Sequence, residues 1–266
     1  MKVLALAKYV PESISNIRVK PDGSGIETAG VKYLMNPFCE FAVEAALQFK
    51  EKNSAAAAEV TVLTLGPAAA VEVIRTAYAM GVDHGVHLCD DLFNGLDEIA
   101  VARVIAAAVK DAKFEVIFAG KHAIDYDSGQ VGPALAELLD IPHVGAVTAI
   151  EWGAGFRSAT VRRRIEGAEE VVEVQLPALI TAEKGLCEPR YPSLPGLMKA
   201  KKRPVETKNA AALGLSAADL GKDKVGTWMG EFTPPPPRAA GRILKGEPAE
   251  MAKELVRILH EEEKLI

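Results

Sequence analysis

Residues 116–133 read VIFAGKHAIDYDSGQVGP. The first five, Val116 to Gly120, are a continuous apolar run of strand length, which implies a strand buried on both faces. Beyond Gly120 lies a loop of glycines and small polar groups that runs into a helix opened by Pro133, whose fixed φ and missing N–H suit a first helical turn. A strand end joined in this way to a helix N-terminus presents backbone N–H groups and the positive end of a helix dipole to an anion. Asp125, Asp127, Ser128 and Gln130 cannot all be phosphate ligands, because carboxylates repel phosphate. An Asp there suits an N-cap, a loop hydrogen bond or a ribose contact. On the residues alone, an ordinary strand-to-helix loop is the competing reading.

The same alternation of apolar run and helical segment recurs on the N-terminal side. VLALA (Val3 to Ala7), VTVLTLG (Val60 to Gly66) and GVHLC (Gly85 to Cys89) are the other candidate strands. Helices are expected from Asn36 to Lys52, with Asn36 placed to cap and Pro37 in the first turn; from about Ala68 to a stop at Gly81; from Leu96 to Asp111; and from Pro133 to Leu139. About four such units predict an α/β fold, with helices on both faces of a mainly parallel sheet.

Two stretches depart from that pattern. Between Arg18 and Val31, RVK and IET flank the turn-rich PDGSG, which predicts a hairpin-like excursion from the sheet. After Ile141 the period becomes strand-like: GAVTAIEW, RSATVRRRI and EVVEVQL predict antiparallel strands, before LPALITA returns to buried-strand character. From Glu188 the chain carries prolines at 189, 192, 195 and 204, then a basic run, then Pro234 to Pro237. That predicts little core and a division into residues 1–190, the main α/β domain, and residues 191–266, a proline-rich loop and an extended arm. The arm ends in an amphipathic helix, Glu247 to Leu265, with Ala249, Leu255, Ile258 and Leu259 near one stripe.

Composition narrows the functional classes. With 31 basic and 36 acidic residues and a net charge of -5, no nucleic-acid partner is expected. The three cysteines, Cys39, Cys89 and Cys187, are scattered and odd in number, with no CxxC and no Cys/His cluster. No metal is expected, and a reducing, cytoplasmic compartment is. MKVLALAKYV is too short an apolar run for a signal peptide and no stretch approaches a membrane span, so no membrane insertion is expected. GxSxG, HExxH, Walker A and GxGxxG patterns are missing and the five histidines are scattered, so no catalytic residue is expected.

Two further stretches bear on binding. NPFCE, Asn36 to Glu40, opens a helix near the same sheet edge; Asn36 as a simple cap and Phe38 as ordinary core compete with an adenine-side wall completed by Gly66. EPRYPSLPGLMKAKKR, Glu188 to Arg203, displays Leu194, Leu197 and Met198 beside Lys199, Lys201, Lys202 and Arg203 on a proline-stiffened loop. Such a loop loses little entropy on contact and suits protein docking; a solvated linker is the alternative.

Together and in this order, VKYLMNPFCEFAVEAAL, the IRTAYAMGVD helix end, GKHAIDYDSGQVGP and VEVQLPALITAEKGLCEPRYPSLPGLMKAKKRP resemble the electron-transfer flavoprotein β-subunit family over nearly the whole chain. The resemblance implies a three-layer α/β/α nucleotide-binding-like domain with a structural AMP, paired with an α subunit that carries most of the FAD contacts. By the same resemblance the AMP pocket is lined by Leu6, Asn36, Pro37, Phe38, Cys39, Leu65, Gly66, Gly120, Lys121, His122, Ala123, Ile124, Asp125, Tyr126, Asp127, Ser128, Gly129, Gln130, Val131 and Gly132. Leu194 is implied as the apolar anchor for acyl-CoA-type dehydrogenases, shaped by Tyr191 and Pro195 and flanked by Leu197, Met198, Lys199 and Lys202. Electrons then pass to a membrane-linked quinone oxidoreductase. Leu65 stands where some relatives carry a polar or thiol-bearing residue, which leaves only its backbone as a hydrogen-bonding contact. QVGP is shared with electron-bifurcating relatives that hold a second FAD in place of AMP, whereas NPFCEFAVEAAL matches the AMP type, which is the favoured expectation. A stand-alone adenine-nucleotide-binding protein is the reading from a different class.

Overall fold

The computed structural model describes residues 1–53, 57–220, 224, 226–238 and 240–266. Among these, nine strands form one sheet. In chain order they are β1 (Lys2–Leu6), β4 (Glu59–Leu65), β5 (His84–Leu88), β6 (Val116–Gly120), β7 (His143–Trp152), β8 (Ser158–Ile165), β9 (Ala168–Gln175), β10 (Ala178–Ala182) and β11 (Glu206–Lys208); β2 (Tyr9–Pro11) and β3 (Tyr33–Met35) pair separately. The spatial order is β11-β5-β4-β1-β6-β10-β7-β8-β9, parallel from β11 to β7 and antiparallel from β7 to β9.

The central parallel strands β4, β1, β6 and β10 are buried on both sides, so consecutive residues enter different cores. Val3 and Ala5 of β1 pack with α1 (Pro37–Lys52) and α2 (Val71–Met80), while Leu4 and Leu6 pack with α3 (Glu98–Val109) and α4 (Val131–Leu138). These are the three layers α/β/α that the continuous apolar runs require. Local chemistry sets the helix ends. Gly81, at φ 120°, stops α2 and returns its N–H to Ala77 and Tyr78. The Asp97 carboxylate caps α3 by accepting from the Ala100 N–H at 2.8 Å. The Arg18–Val31 excursion is held by a bridge between Val19 and Ile26 around positive-φ Gly23 and Gly25.

The first compact unit runs from Met1 to Phe232, so the boundary expected after residue 190 falls inside it. The expected extended loop contains α5 (Leu194–Ala200), which packs on α2 through buried Ala200. Beyond it, β11 adds to the sheet edge beside β5, and Ala210 and Leu220, the latter on α6 (Ala217–Leu220), enter the core of the α3 face. The second unit, Thr233–Ile266, ends in α7 (Pro248–Arg257), continued by a wider turn, Ile258–Glu262. Arg257 pairs with Glu254, Glu261 and Glu262, and Arg242 with Glu254 and Glu262. None of its described residues is buried.

Candidate functional site

The chain builds β1, β4 and β5 in one direction and then places β6 on the other side of β1. Order reverses between β1 and β6, and in open parallel sheets that reversal leaves a crevice outside the carboxyl ends of the strands. A cleft of about 680 Å³ lies there, walled by Leu6 to Tyr9 after β1, Leu65 to Pro67 after β4 and Gly120 to Asp125 after β6. A second hollow of about 500 Å³ sits at the opposite ends of the strands, rimmed by Lys2, Glu59, His84 and Glu206, and carries no glycine-rich loop.

Asn36 is fully buried and does not cap α1 with its side chain. Its Nδ2 donates to the His122 carbonyl at 2.8 Å and contacts Cys39 Sγ at 3.2 Å, while its Oδ1 accepts from the Ile124 N–H at 3.1 Å. The carboxamide therefore fixes the loop after β6 to the start of α1. Burial raises the Cys39 thiol above its ordinary pKa, keeping it neutral. Gly120 allows the close approach: a Cβ there would stand 2.8 Å from the Phe38 carbonyl carbon and 3.0 Å from Cys39 N.

Further along the loop, Lys8 Nζ meets Asp125 Oδ2 at 2.7 Å and lies 4.1 Å from the Tyr126 ring centroid. Asp125 Oδ1 is buried and has no partner. An unpaired buried carboxylate oxygen costs free energy unless a donor reaches it, and on the wall of a cleft a ligand hydroxyl meets that need. Gly129 at φ 64° turns the chain into α4, which begins at Val131 instead of Pro133. Its first turn offers N–H groups from Val131 and Gly132 that have no acceptor within the helix. Gly132 is small for packing: a Cβ would come within 2.7 Å of Thr181 Cγ2 on β10.

Seventeen of the twenty expected pocket residues line this cleft; Pro37, Phe38 and Asp127 do not. The Phe38 ring instead meets the His122 imidazole at 4.3 Å and Lys121 Nζ at 5.1 Å, and Asp127 Oδ1 pairs with His122 Nδ1 at 2.6 Å. Sequence reading missed Lys8, Ile17, Ile26, Tyr33, the Phe93–Leu96 turn, Met229 and Phe232, all on the wall. The turn-forming Asn94-Gly95 before Asp97 was the one local signal; the others meet only through the fold.

The side chains expected at the surface of the Tyr191–Met198 stretch are exposed. Tyr191 is 96% exposed, Leu194 73% and Met198 67%. Ser193 Oγ accepts from Gly196 N–H at 3.1 Å and starts α5. Arg190 fixes one end: its backbone N–H, Nε and Nη2 all donate to the buried Glu44 carboxylate, and its Nη1 reaches Glu51 at 2.7 Å. The pairing drives the Arg190 pKa upward. At the other end Arg75 donates to the Ala200 and Arg203 carbonyls. Arg203, expected in the basic docking cluster, turns inward: it donates to the Val82 and Asp83 carbonyls and stacks 4.1 Å from the Tyr78 ring centroid.

Among the described residues no group of three His, Cys, Asp or Glu side chains could hold a metal, and no helix is long and apolar enough to cross a membrane. The electron transfer flavoprotein domain family matches residues 24–213. The electron transfer flavoprotein subunit beta of Bacillus subtilis is 43% identical over 243 residues, covering 91% of each chain. That of Mus musculus is 40% identical over 243 residues, again 91% of each. That of Syntrophomonas wolfei is 40% identical over 255 residues, 96% of this chain and 94% of its own. With its fold, its cleft and these relatives in agreement, the chain belongs to the family of electron transfer flavoprotein β subunits.

Proposed function

We propose that the chain pairs with an α subunit to form a heterodimeric electron carrier in the cytoplasm, holding a structural AMP in its own cleft. The observation that carries the nucleotide is the unpaired, buried Asp125 Oδ1 on a glycine-lined wall at the switch point of the sheet. Asp125 would take a ribose hydroxyl, and Lys8 with the first turn of α4 would take the phosphate. FAD, held mostly by the α subunit, supplies the redox chemistry when bound. This chain's residues bind, orient and exclude water, and no acid or base is required of them.

The exposed Tyr191–Met198 stretch supports docking of acyl-CoA-type dehydrogenases, and electrons leave toward a membrane-linked quinone oxidoreductase. Acid extraction of the purified heterodimer followed by chromatography tests the reading. One AMP and one FAD per heterodimer are expected. Two FAD and no AMP would replace the structural nucleotide with a bifurcating second flavin, and a complex with no adenine nucleotide in this chain would overturn the proposal.

A further inference from the structure

Residues 226–232, which carry no regular secondary structure, contribute Met229 and Phe232 to the lining of the cleft. Asp97, buried at the start of α3, uses its second oxygen, Oδ2, to accept the N–H groups of Gly226 at 2.7 Å and Thr227 at 3.1 Å. Just before, Arg103 Nη1 donates to the Lys224 carbonyl at 3.2 Å. At the other end the Phe232 N–H donates to the Gly23 carbonyl at 2.9 Å, on the tip of the excursion. Gly23 suits that position through its φ of 67°, and a Cβ there would come within 2.9 Å of Glu231 Cγ, an exposed side chain that would have to turn aside. Met229, between the two attachments, and Phe232, at the second, form part of the cleft wall together with Ile17 and Ile26 of the excursion. Trp228, 82% exposed, does not.

Two features distinguish this from a loop that happens to pass nearby. A carboxylate that already caps a helix is used a second time, with a charge-assisted pair of hydrogen bonds, to hold the segment. The side chains it delivers to the cleft, Met229 and Phe232, are apolar and partly covered, and they share its lining with the polar β6–α4 loop. A lining that combines apolar side chains with a polar loop suits a ligand that has both a flat base and a phosphate.

We propose that residues 226–232 are a strap that retains the adenine nucleotide, with Met229 and Phe232 as part of its binding wall and Asp97 as the residue that positions the strap. The inference rests on the proposed nucleotide site and adds residues to it. Asp97→Asn separates the two duties of the carboxylate: an oxygen remains for the Ala100 N–H, while the amide nitrogen cannot accept from Gly226 and Thr227.

The test is the release of radiolabelled AMP, chased by unlabelled AMP, from heterodimers purified with the α subunit. Asp97→Asn, Met229→Ala and Phe232→Ala should each release AMP about tenfold faster than wild type, the scale of one lost hydrogen bond to a charged group or one buried apolar side chain. Trp228→Ala should release it at the wild-type rate. Hydrogen exchange of the 226–232 amides should also slow when AMP is bound. Equal release rates in all four variants and wild type, or exchange in 226–232 indifferent to AMP, would overturn the strap while leaving the nucleotide site standing. A wild-type heterodimer that retains no labelled AMP would instead overturn the nucleotide site itself.

Discussion

Asn36, at the mouth of α1, accepts the backbone N–H of Ile124 at 3.1 Å, so one buried carboxamide sets the position of a loop 88 residues away in sequence. Its other end donates to the His122 carbonyl. Truncation by Asn36→Ala leaves both backbone groups without their side-chain partner on the partly buried wall of the cleft, and unsatisfied buried polar groups cost about 1–3 kcal/mol each. The variant heterodimer should lose about 2 kcal/mol or more of stability in urea unfolding and carry substoichiometric nucleotide, because the same loop forms the cleft wall. Full nucleotide content at a lowered urea midpoint would show that Asn36 serves the fold and not the cleft.

Half-buried Arg190 pairs with the buried Glu44 carboxylate at the root of the Tyr191–Met198 stretch. Arg190→Met would remove two side-chain donors from a carboxylate that has almost no contact with solvent, leaving the backbone N–H in place, and with the guanidinium partly in water the loss should fall below the about 3–5 kcal/mol typical of a fully buried pair. Thermal unfolding should register that loss. Glu44→Gln keeps two acceptor sites on its oxygen and should cost less. If Arg190→Met melts as wild type does, the pair contributes nothing net and the stretch is held from its α2 side alone.

His143 opens β7 with its Nε2 buried and unpartnered. Burial first, and then the charge of Arg163, hold its pKa below the ordinary 6.5. A histidine whose folded pKa is depressed contributes stability that is fully present above the unfolded value and is lost as pH falls, since the unfolded chain takes up the proton first. The melting temperature should therefore decline from about pH 6.5 downward, and His143→Phe should flatten that part of the curve. Parallel curves for wild type and variant over this range would contradict the assignment.

The parallel core is legible because each strand has to be apolar on both faces, which leaves an unbroken run in the sequence: β6 coincides with its run, and β1, β4 and β5 are displaced from theirs by one residue. Parts whose reason is distant are not legible. The three residues of β11, Glu-Thr-Lys, have no strand signature and exist because β5 offers an unpaired edge. The basic run near residue 200 looks uniform in sequence, but Arg203 finds carbonyls and a tyrosine ring that only the packing of α2 supplies. In the cleft, contiguous loop residues can be read from one stretch, whereas Met229 and Phe232 reach the wall through Asp97 and Gly23, contacts of more than a hundred residues in separation. Asn36 resembles a helix cap because capping is local; its actual partners are across the sheet end.

Leu194 supplies the sharpest separation of folding from function. It is 73% exposed at the first turn of α5, so replacing it with alanine removes little buried surface and should leave the melting temperature, flavin content and nucleotide content near wild type. If the residue fills an apolar pocket on a dehydrogenase, the same substitution removes a central contact, and such contacts often contribute about 2 kcal/mol or more to an interface. The loss should fall mainly on dissociation, lowering electron transfer from the dehydrogenase about tenfold or more at limiting carrier concentration. Lys199, Lys201 and Lys202 lie beside it with no role in the core, and charges of that kind act over about 8–10 Å at ordinary salt. The wild-type rate should therefore fall as ionic strength rises, and the fractional effect of salt should persist in Leu194→Ala, because steering and the apolar contact act at different steps. Steady-state transfer across a salt series, with the melting temperature of the same preparations, decides the matter: a normal rate in Leu194→Ala would remove the leucine from the interface, and a salt-independent wild-type rate would remove the lysines.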